Sequence, residues 1–212
     1  MTIDELVVQF GHVWHVTFSG GWEGIQRTGL RSTVDLLGEA GRSEEASRVR
    51  EEVVLLATSA GAVVLRNQVP KRRDLAPSLD GISVEDWWVL VNSRSYFFAN
   101  ERDVEKLLAS YNHRGEVQEA IKFFSRPLLE PVAAHIEVST VNAGVFPRQA
   151  GPSRGRSTFQ PLVDFTADPR TIKEITVTCP VPIDEGAVMK VIRHAPDGAP
   201  VRLWPPLRAS ER

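Results

Sequence analysis

The chain of 212 residues holds a single cysteine, Cys179, so neither an internal disulfide nor a thiolate metal cluster can form. Nowhere does it approach the roughly 18 consecutive apolar residues of a membrane-crossing helix, and no membrane partner is expected. Charge is nearly balanced, with 25 Lys and Arg against 27 Asp and Glu. That argues against a whole-surface nucleic-acid binder and leaves room for a local basic patch. Met1-Thr2-Ile3-Asp4-Glu5 has no basic region ahead of an apolar core, unlike a secretory signal, and a cytoplasmic location is the expectation. Phosphate-loop and dinucleotide fingerprints are missing as well: no Gly-x-x-x-x-Gly-Lys-Ser/Thr occurs, and no Gly-x-Gly-x-x-Gly.

What is present reads as strands interrupted by helices. Thr2 and Glu5 form a capping box for a short helix over residues 2–10. Residues 12–18 have strand composition. Ser19 is placed to cap a helix over 21–28, with Gly29 as its left-handed stop. Ser32 and Asp35 make a second capping box, and Ser43-Glu44-Glu45 opens a further helix with Val49, Val53, Val54 and Ala57 at helical spacing. Residues 32–68 therefore read as a helical insertion covering one side of a sheet. Val69 to Asp74 is a basic connector.

Ser83 and Asp86 cap a helix whose Trp87 and Trp88 belong in a core. Arg94 to Phe98 is an aromatic strand, and Glu101 to Asn112 a helix. Val117–Phe124 and Ile136–Val141 are strands around a Pro-bounded turn. Residues 142–165 form a long Gly/Pro-rich segment carrying Arg148, Arg154 and Arg156, the kind of connection that serves as a lid or binding loop. Residues 171–178 alternate as a strand, which sends Glu174 to the polar face and Ile175 and Val177 to the apolar one. Ala187–Ile192 is a last strand, and the Pro-rich tail, 196–212, is expected to be loosely ordered. The class is α+β, in one domain over 1–212.

His12 and His15 point to opposite faces of their strand and have no Cys/His cluster to join, so no metal site is expected. The polar residues left on strands are His15 and Thr17, Arg94 and Tyr96, and Glu174. A glutamate on a strand is more often a solvated edge residue than a catalyst. The weight therefore rests on these residues acting together.

Trp14-His15-Val16-Thr17, followed by Ile25 and Gly29-Leu30, resembles the first motif of the ADP-ribosyltransferase superfamily. The likeness is strongest to the DarT-like branch and the related RNA 2′-phosphotransferases. Glu174-Ile175-Thr176-Val177 with Val181-Pro182-Ile183 is similar to that branch's last motif, and Arg94-Ser95-Tyr96-Phe97-Phe98 falls where the family has its central one. The chain also looks like an uncharacterised bacterial family with the pattern Arg-x-Phe-Phe after a Trp-bearing helix.

The resemblance implies a split mixed or antiparallel sheet and NAD as co-substrate. Glu174 would stabilise an oxocarbenium-like state, with Arg94 pairing with the pyrophosphate. His15, Thr17, Gly29 and Leu30 would line the cofactor site, and Tyr96 would stack on nicotinamide. The Arg148, Arg154 and Arg156 loop would meet a nucleic-acid or nucleotide acceptor. A toxin or defence factor with an antitoxin or immunity protein fits the same branch. Ile172, where arginine-modifying relatives carry a second Glu, disfavours protein arginine as acceptor. An RNA 2′-phosphotransferase, or a degenerate ligand-binding or interaction module of the same fold, stands as the alternative.

Overall fold

Short strands rich in β-branched and aromatic residues, each bounded by a capped helix or a turn, pair into one antiparallel sheet. The computed structural model describes residues 1–68, 74–144, 146 and 151–205. Along the chain, α1 (Ile3–Gln9) leads to β1 (His12–Phe18), α2 (Gly21–Thr28) and α3 (Thr33–Glu39). A hairpin of β2 (Val54–Thr58) and β3 (Gly61–Leu65) stands apart from the main sheet. Then come α4 (Val84–Asn92), β4 (Ser95–Phe98), α5 (Glu101–Asn112), β5 (Gln118–Phe124) and α6 (Ser125–Leu129). The last strands are β6 (Ile136–Ser139), β7 (Gln160–Pro161), β8 (Glu174–Val177), β9 (Val188–His194) and β10 (Val201–Trp204). In space the eight strands run β10-β9-β5-β1-β4-β8-β6-β7.

The Thr2–Glu5 and Ser32–Asp35 capping boxes form as their spacing predicts, and Ser83 Oγ accepts from the Asp86 amide at 3.0 Å. Such a cap contributes about 1 kcal/mol to its helix. The start of α2 is different. Its cap is Gly20, in the left-handed region at φ 85°, and Ser19 plays no part. Instead the buried Glu119 carboxylate on β5 accepts from the Gly20 and Trp22 amides, both at 2.9 Å.

Residues 32–68 are not a helical insertion. Beyond α3 and the 3-10 turn Ser43–Ser47, Val54 and its neighbours form the hairpin. Period two wins over period 3.6 because Val54, Leu56, Val63 and Leu65 pack on Leu36 and Leu37, while Leu55 stays 67% exposed. Gly61, at φ 109°, supplies the turn conformation that ends any helix there. The tail also departs from expectation as far as it is described. Val201–Trp204 pairs with β9 and edges the sheet, and residues 206–212 lie outside the described set.

Both faces of the sheet are covered. One carries Val13, Phe97, Ile121, Phe123, Val138, Ile175, Val177 and Val191 against Leu6, Trp22, Leu128 and Leu129. The other carries Trp14, Val16 and Ala120 under Val104 and Leu108 of α5, and further along Tyr96 under Trp87, Trp88 and Val91 of α4. Trp87 is fully buried, as its core reading required. Among the described residues no helix is long and apolar enough to cross a membrane.

The sheet is nearly divided. β1 pairs with β5 along its whole length, from His12↔Phe124 to Phe18↔Gln118, but meets β4 in the single pair Trp14↔Phe98. Above that pair β1 and β4 part, leaving a seam between two half-sheets.

Candidate functional site at the seam of the sheet

His15 stands in the seam. Its ring Nδ1 lies 2.9 Å from the Tyr96 carbonyl oxygen of β4, replacing a backbone ladder bond. A carbonyl can only accept, so Nδ1 carries the proton and Nε2 is left as a bare acceptor. Burial pulls the His15 pKa down to about 4, with the Arg66 charge adding to the shift and the Tyr96 bond opposing it. The imidazole is neutral at pH 7. Its ring meets the edge of Phe97 at a centroid distance of 6.2 Å.

The other residues of the first motif serve packing. Thr17 is buried against the start of α2, where a Cβ on Gly21 would lie 2.2 Å from Thr17 Oγ1. Gly29 has φ 74°, and a Cβ there would lie 2.5 Å from the Val181 carbonyl oxygen. Leu30 and Val181 exchange backbone hydrogen bonds of 2.9 and 2.8 Å. Gly29-Leu30 and Val181-Pro182, far apart in sequence, therefore clasp each other as an isolated bridge.

Glu174 lies in a different chamber. It does not reach solvent from a polar face: all four residues of β8 are buried, and Glu174 is 5% exposed. The strand is shorter than 171–178, because Pro169–Thr171 forms a 3-10 turn. Glu174 Oε2 accepts from the Ala143 amide at 2.9 Å. Desolvation raises its pKa to about 7, against the lowering effects of that bond and of Arg154. The cover is the Gly/Pro-rich segment itself, since Ala143, Phe146, Arg154 and Phe159 are all buried. Arg154 donates to the Pro152 and Asn142 carbonyls and sits 5.0 Å from the Phe146 ring. Arg156 is exposed, and Arg148 lies outside the described residues.

Tyr96 and Arg94 share the Glu174 face. The Tyr96 hydroxyl donates to the Val91 carbonyl at 3.0 Å, and its pKa is raised by burial and then by Glu174. Arg94 donates to Glu137 at 2.6 Å and to the Leu90 carbonyl at 2.5 Å, and lies over the Phe159 ring at 4.4 Å. Its guanidinium ties α4, β6 and the covering segment together, so its placement is that of an internal strut.

The register decides which residues meet. Trp14 pairs with Phe98, and Phe98 with Glu174, so these three share one face. His15, one residue on from Trp14, packs on Phe97 and shares the face of Ile175. His15 and Glu174 thus project to opposite sides of the sheet, two strands apart. Alternation within each strand is legible in a sequence, whereas the register between three strands is not.

Sequence reasoning also passed over Glu119. It is fully buried, caps α2, and takes Arg193 through Nε at 3.0 Å and Nη2 at 2.7 Å. Together with Trp22, Gln26 and Trp204 this pair lines an open cleft of about 300 Å³. The signal was the one acid in a strand, Gln118–Phe124, whose Ala120, Ile121 and Phe123 are fully buried. One string, Gly151-Pro152-Ser153-Arg154-Gly155, has the Gly-x-Ser-x-Gly spacing of a hydrolase elbow. Among the described residues no strand leads into it, and the element that follows is a 3-10 turn in place of the helix an elbow requires. Among the described residues no cluster of three His, Cys, Asp or Glu is placed to hold a metal.

The molecule is thus an α+β protein on a nearly divided antiparallel sheet, with a neutral histidine in the seam and a buried carboxylate two strands away. The chain belongs to a family of unknown function, DUF7002, whose family model matches residues 11–188. That span holds β1, β4 and β8, and so His15, Arg94 and Glu174. No curated protein and no solved structure matches the chain.

Proposed function

We infer that the protein is an NAD-dependent ADP-ribosyltransferase that passes ADP-ribose to a nucleic-acid or nucleotide acceptor. The observation that carries this reading is the seam: a gap in the ladder beside a neutral His15 whose Nε2 is free of a proton. That lone pair suits a ribose hydroxyl. A dinucleotide held in the seam comes within two strand spacings, roughly 10 Å, of Glu174. Glu174 would supply the negative charge that stabilises the oxocarbenium-like state once nicotinamide leaves. Burial brings its pKa to about 7, so both protonation states are accessible near neutral pH. The cover formed by Ala143, Phe146, Arg154 and Phe159 must move aside for it to act. A role as a bacterial toxin or defence factor, restrained by an antitoxin or immunity protein, extends the same reading.

The test is nicotinamide release from NAD and transfer of labelled ADP-ribose to oligonucleotides. Wild type should do both, and Glu174→Gln should lose both while keeping its fold. Unchanged transfer in that variant sinks the reading. One observation favours a second one, a ligand-binding module of the same fold: Glu174 is covered and faces away from His15. Calorimetric binding of NAD without nicotinamide release would select it.

A further inference from the structure

Burying an arginine is tolerated when a carboxylate or another anion neutralises it. Arg50, which is buried, and Arg66, which is half-buried, depart from that pattern. Arg50 is 8% exposed. Its Nε donates to the Arg66 carbonyl and its Nη1 to Asn92 Oδ1, each at 3.1 Å. Arg66 donates through Nη2 to the Tyr111 hydroxyl and lies over that ring at 4.6 Å, while Arg114 covers the same ring at 4.2 Å. Among the described residues neither Arg50 nor Arg66 forms a salt bridge. The acids whose charge reaches them, Glu45 and Glu116, are held by Arg42 at 2.6 Å and Arg114 at 3.4 Å.

The two guanidinium groups therefore raise each other's cost in a partly desolvated place. Burial and the Arg66 charge draw the Arg50 pKa down to about 10, and burial lowers Arg66 as well. Everything that holds them is neutral: a backbone carbonyl, the Asn92 carboxamide and the Tyr111 phenol. Asn92 is itself fixed, donating to the Ala46 carbonyl at 2.8 Å and accepting from Gln68 Nε2 at 2.8 Å. Among the described residues Nε and Nη1 of Arg66 make no hydrogen bond, and only Nη2 is engaged, by Tyr111. Positioned forks and positive charge that no carboxylate among the described residues neutralises by a salt bridge are what a phosphoryl group requires.

We propose that Arg50 and Arg66, at the end of the β2–β3 hairpin where it meets α4 and α5, form an anion site for a phosphate or diphosphate group. The Arg66 charge contributes to the lowered pKa of His15. The site stands whether or not the protein transfers ADP-ribose. Its ligand chemistry comes from two sources: the internal diphosphate of a dinucleotide or the terminal phosphate of a nucleotide.

The experiment is calorimetric titration of the full chain with sodium pyrophosphate, ADP-ribose and AMP, using wild type, Arg66→Gln, Arg66→Lys and Arg170→Gln. Wild type should bind pyrophosphate saturably. Arg66→Gln should weaken it at least tenfold, and Arg170→Gln, at an exposed arginine paired with Asp168, should leave it unchanged. Arg66→Lys keeps the charge but loses the fork, and should fall between; it carries the test if circular dichroism shows Arg66→Gln unfolded. Tighter binding of ADP-ribose assigns the site to an internal diphosphate, and tighter binding of AMP to a terminal phosphate; either supports it. Absence of saturable pyrophosphate binding by wild type overturns the proposal, as does equal binding by a folded Arg66 variant. Glu174→Gln should bind pyrophosphate as wild type does, which separates failure of the anion site from failure of the transferase reading.

Discussion

His15 and Glu174 stand two strands apart on opposite faces of one sheet and carry opposite proton anomalies. The histidine is held without its second proton, with its pKa down to about 4, and the glutamate tends to keep its own, with a pKa up to about 7. Burial is the main cause of both. It disfavours whichever form is charged, so it lowers a base and raises an acid.

Opposed effects on stability follow. From pH 4 to 6.5 the unfolded chain binds a proton at His15 that the folded one lacks, so this group makes stability rise with pH. From pH 4.5 to 7 the folded state keeps a Glu174 proton that the unfolded chain has released, so this group makes stability fall. Each is worth up to about 3 kcal/mol across its window. Between pH 4.5 and 6.5 they offset each other. Denaturant unfolding at pH 5 and pH 7 should therefore show Glu174→Gln gaining stability with pH and His15→Gln losing it. Parallel pH profiles in the two variants would refute the assignment.

Gly29→Ala should destabilise the fold by about 2 kcal/mol or more. The new methyl meets the Val181 carbonyl, and the backbone there has positive φ. Because Leu30–Val181 links the end of α2 to the chain beyond β8, amide exchange at Leu30 and Val181 should accelerate together. Exchange confined to Leu30 would contradict the clasp.

Glu119→Ala should cost about 3–5 kcal/mol, since it strips a buried partner from Arg193 and leaves the Gly20 and Trp22 amides unmet. Adding Arg193→Met to Glu119→Ala should recover part of the loss by removing the stranded cation. A double variant no better than the single one would mean that the helix cap alone matters.

Phe159→Ala tests the cover over Glu174. The ring stacks on Trp87 at 6.1 Å and supports Arg94, so stability should drop by about 3 kcal/mol. Water admitted to the chamber should bring the Glu174 pKa back toward its usual range. Carboxyl titration followed by NMR reads this directly, and an unchanged pKa would show that Phe159 does not seal the site.

Much of the scaffold was legible because its signals are local. The Thr2–Glu5 and Ser32–Asp35 boxes, the Ser83 cap and the buried tryptophans depend on residues within one turn of each other. The hairpin was missed because Val49, Val53, Val54 and Ala57 fit a helical period, and only the packing of Val54 and Leu56 against Leu36 and Leu37 selects the alternating one. The α2 cap comes from Glu119, a hundred residues downstream, which no local motif could announce. For the candidate site, the strands carrying His15, Tyr96 and Glu174 were found, with Arg94 in the bend just before β4, but not the pairing that sends His15 and Glu174 apart. Arg50 and Arg66 stayed invisible because their significance lies in the carboxylates they do not meet.

The single Trp14–Phe98 pair also governs how the molecule can deform. On one side lie β10, β9, β5 and β1, and on the other β4, β8, β6 and β7. The chain passes from one side to the other between β1 and β4, β4 and β5, β6's predecessor β5 and β6, and β8 and β9. Such stitching forbids either half from coming away as a separate unit. Any rocking of one half against the other turns about that single backbone rung and strains the His15–Tyr96 bond, so it would widen or narrow the space beside His15.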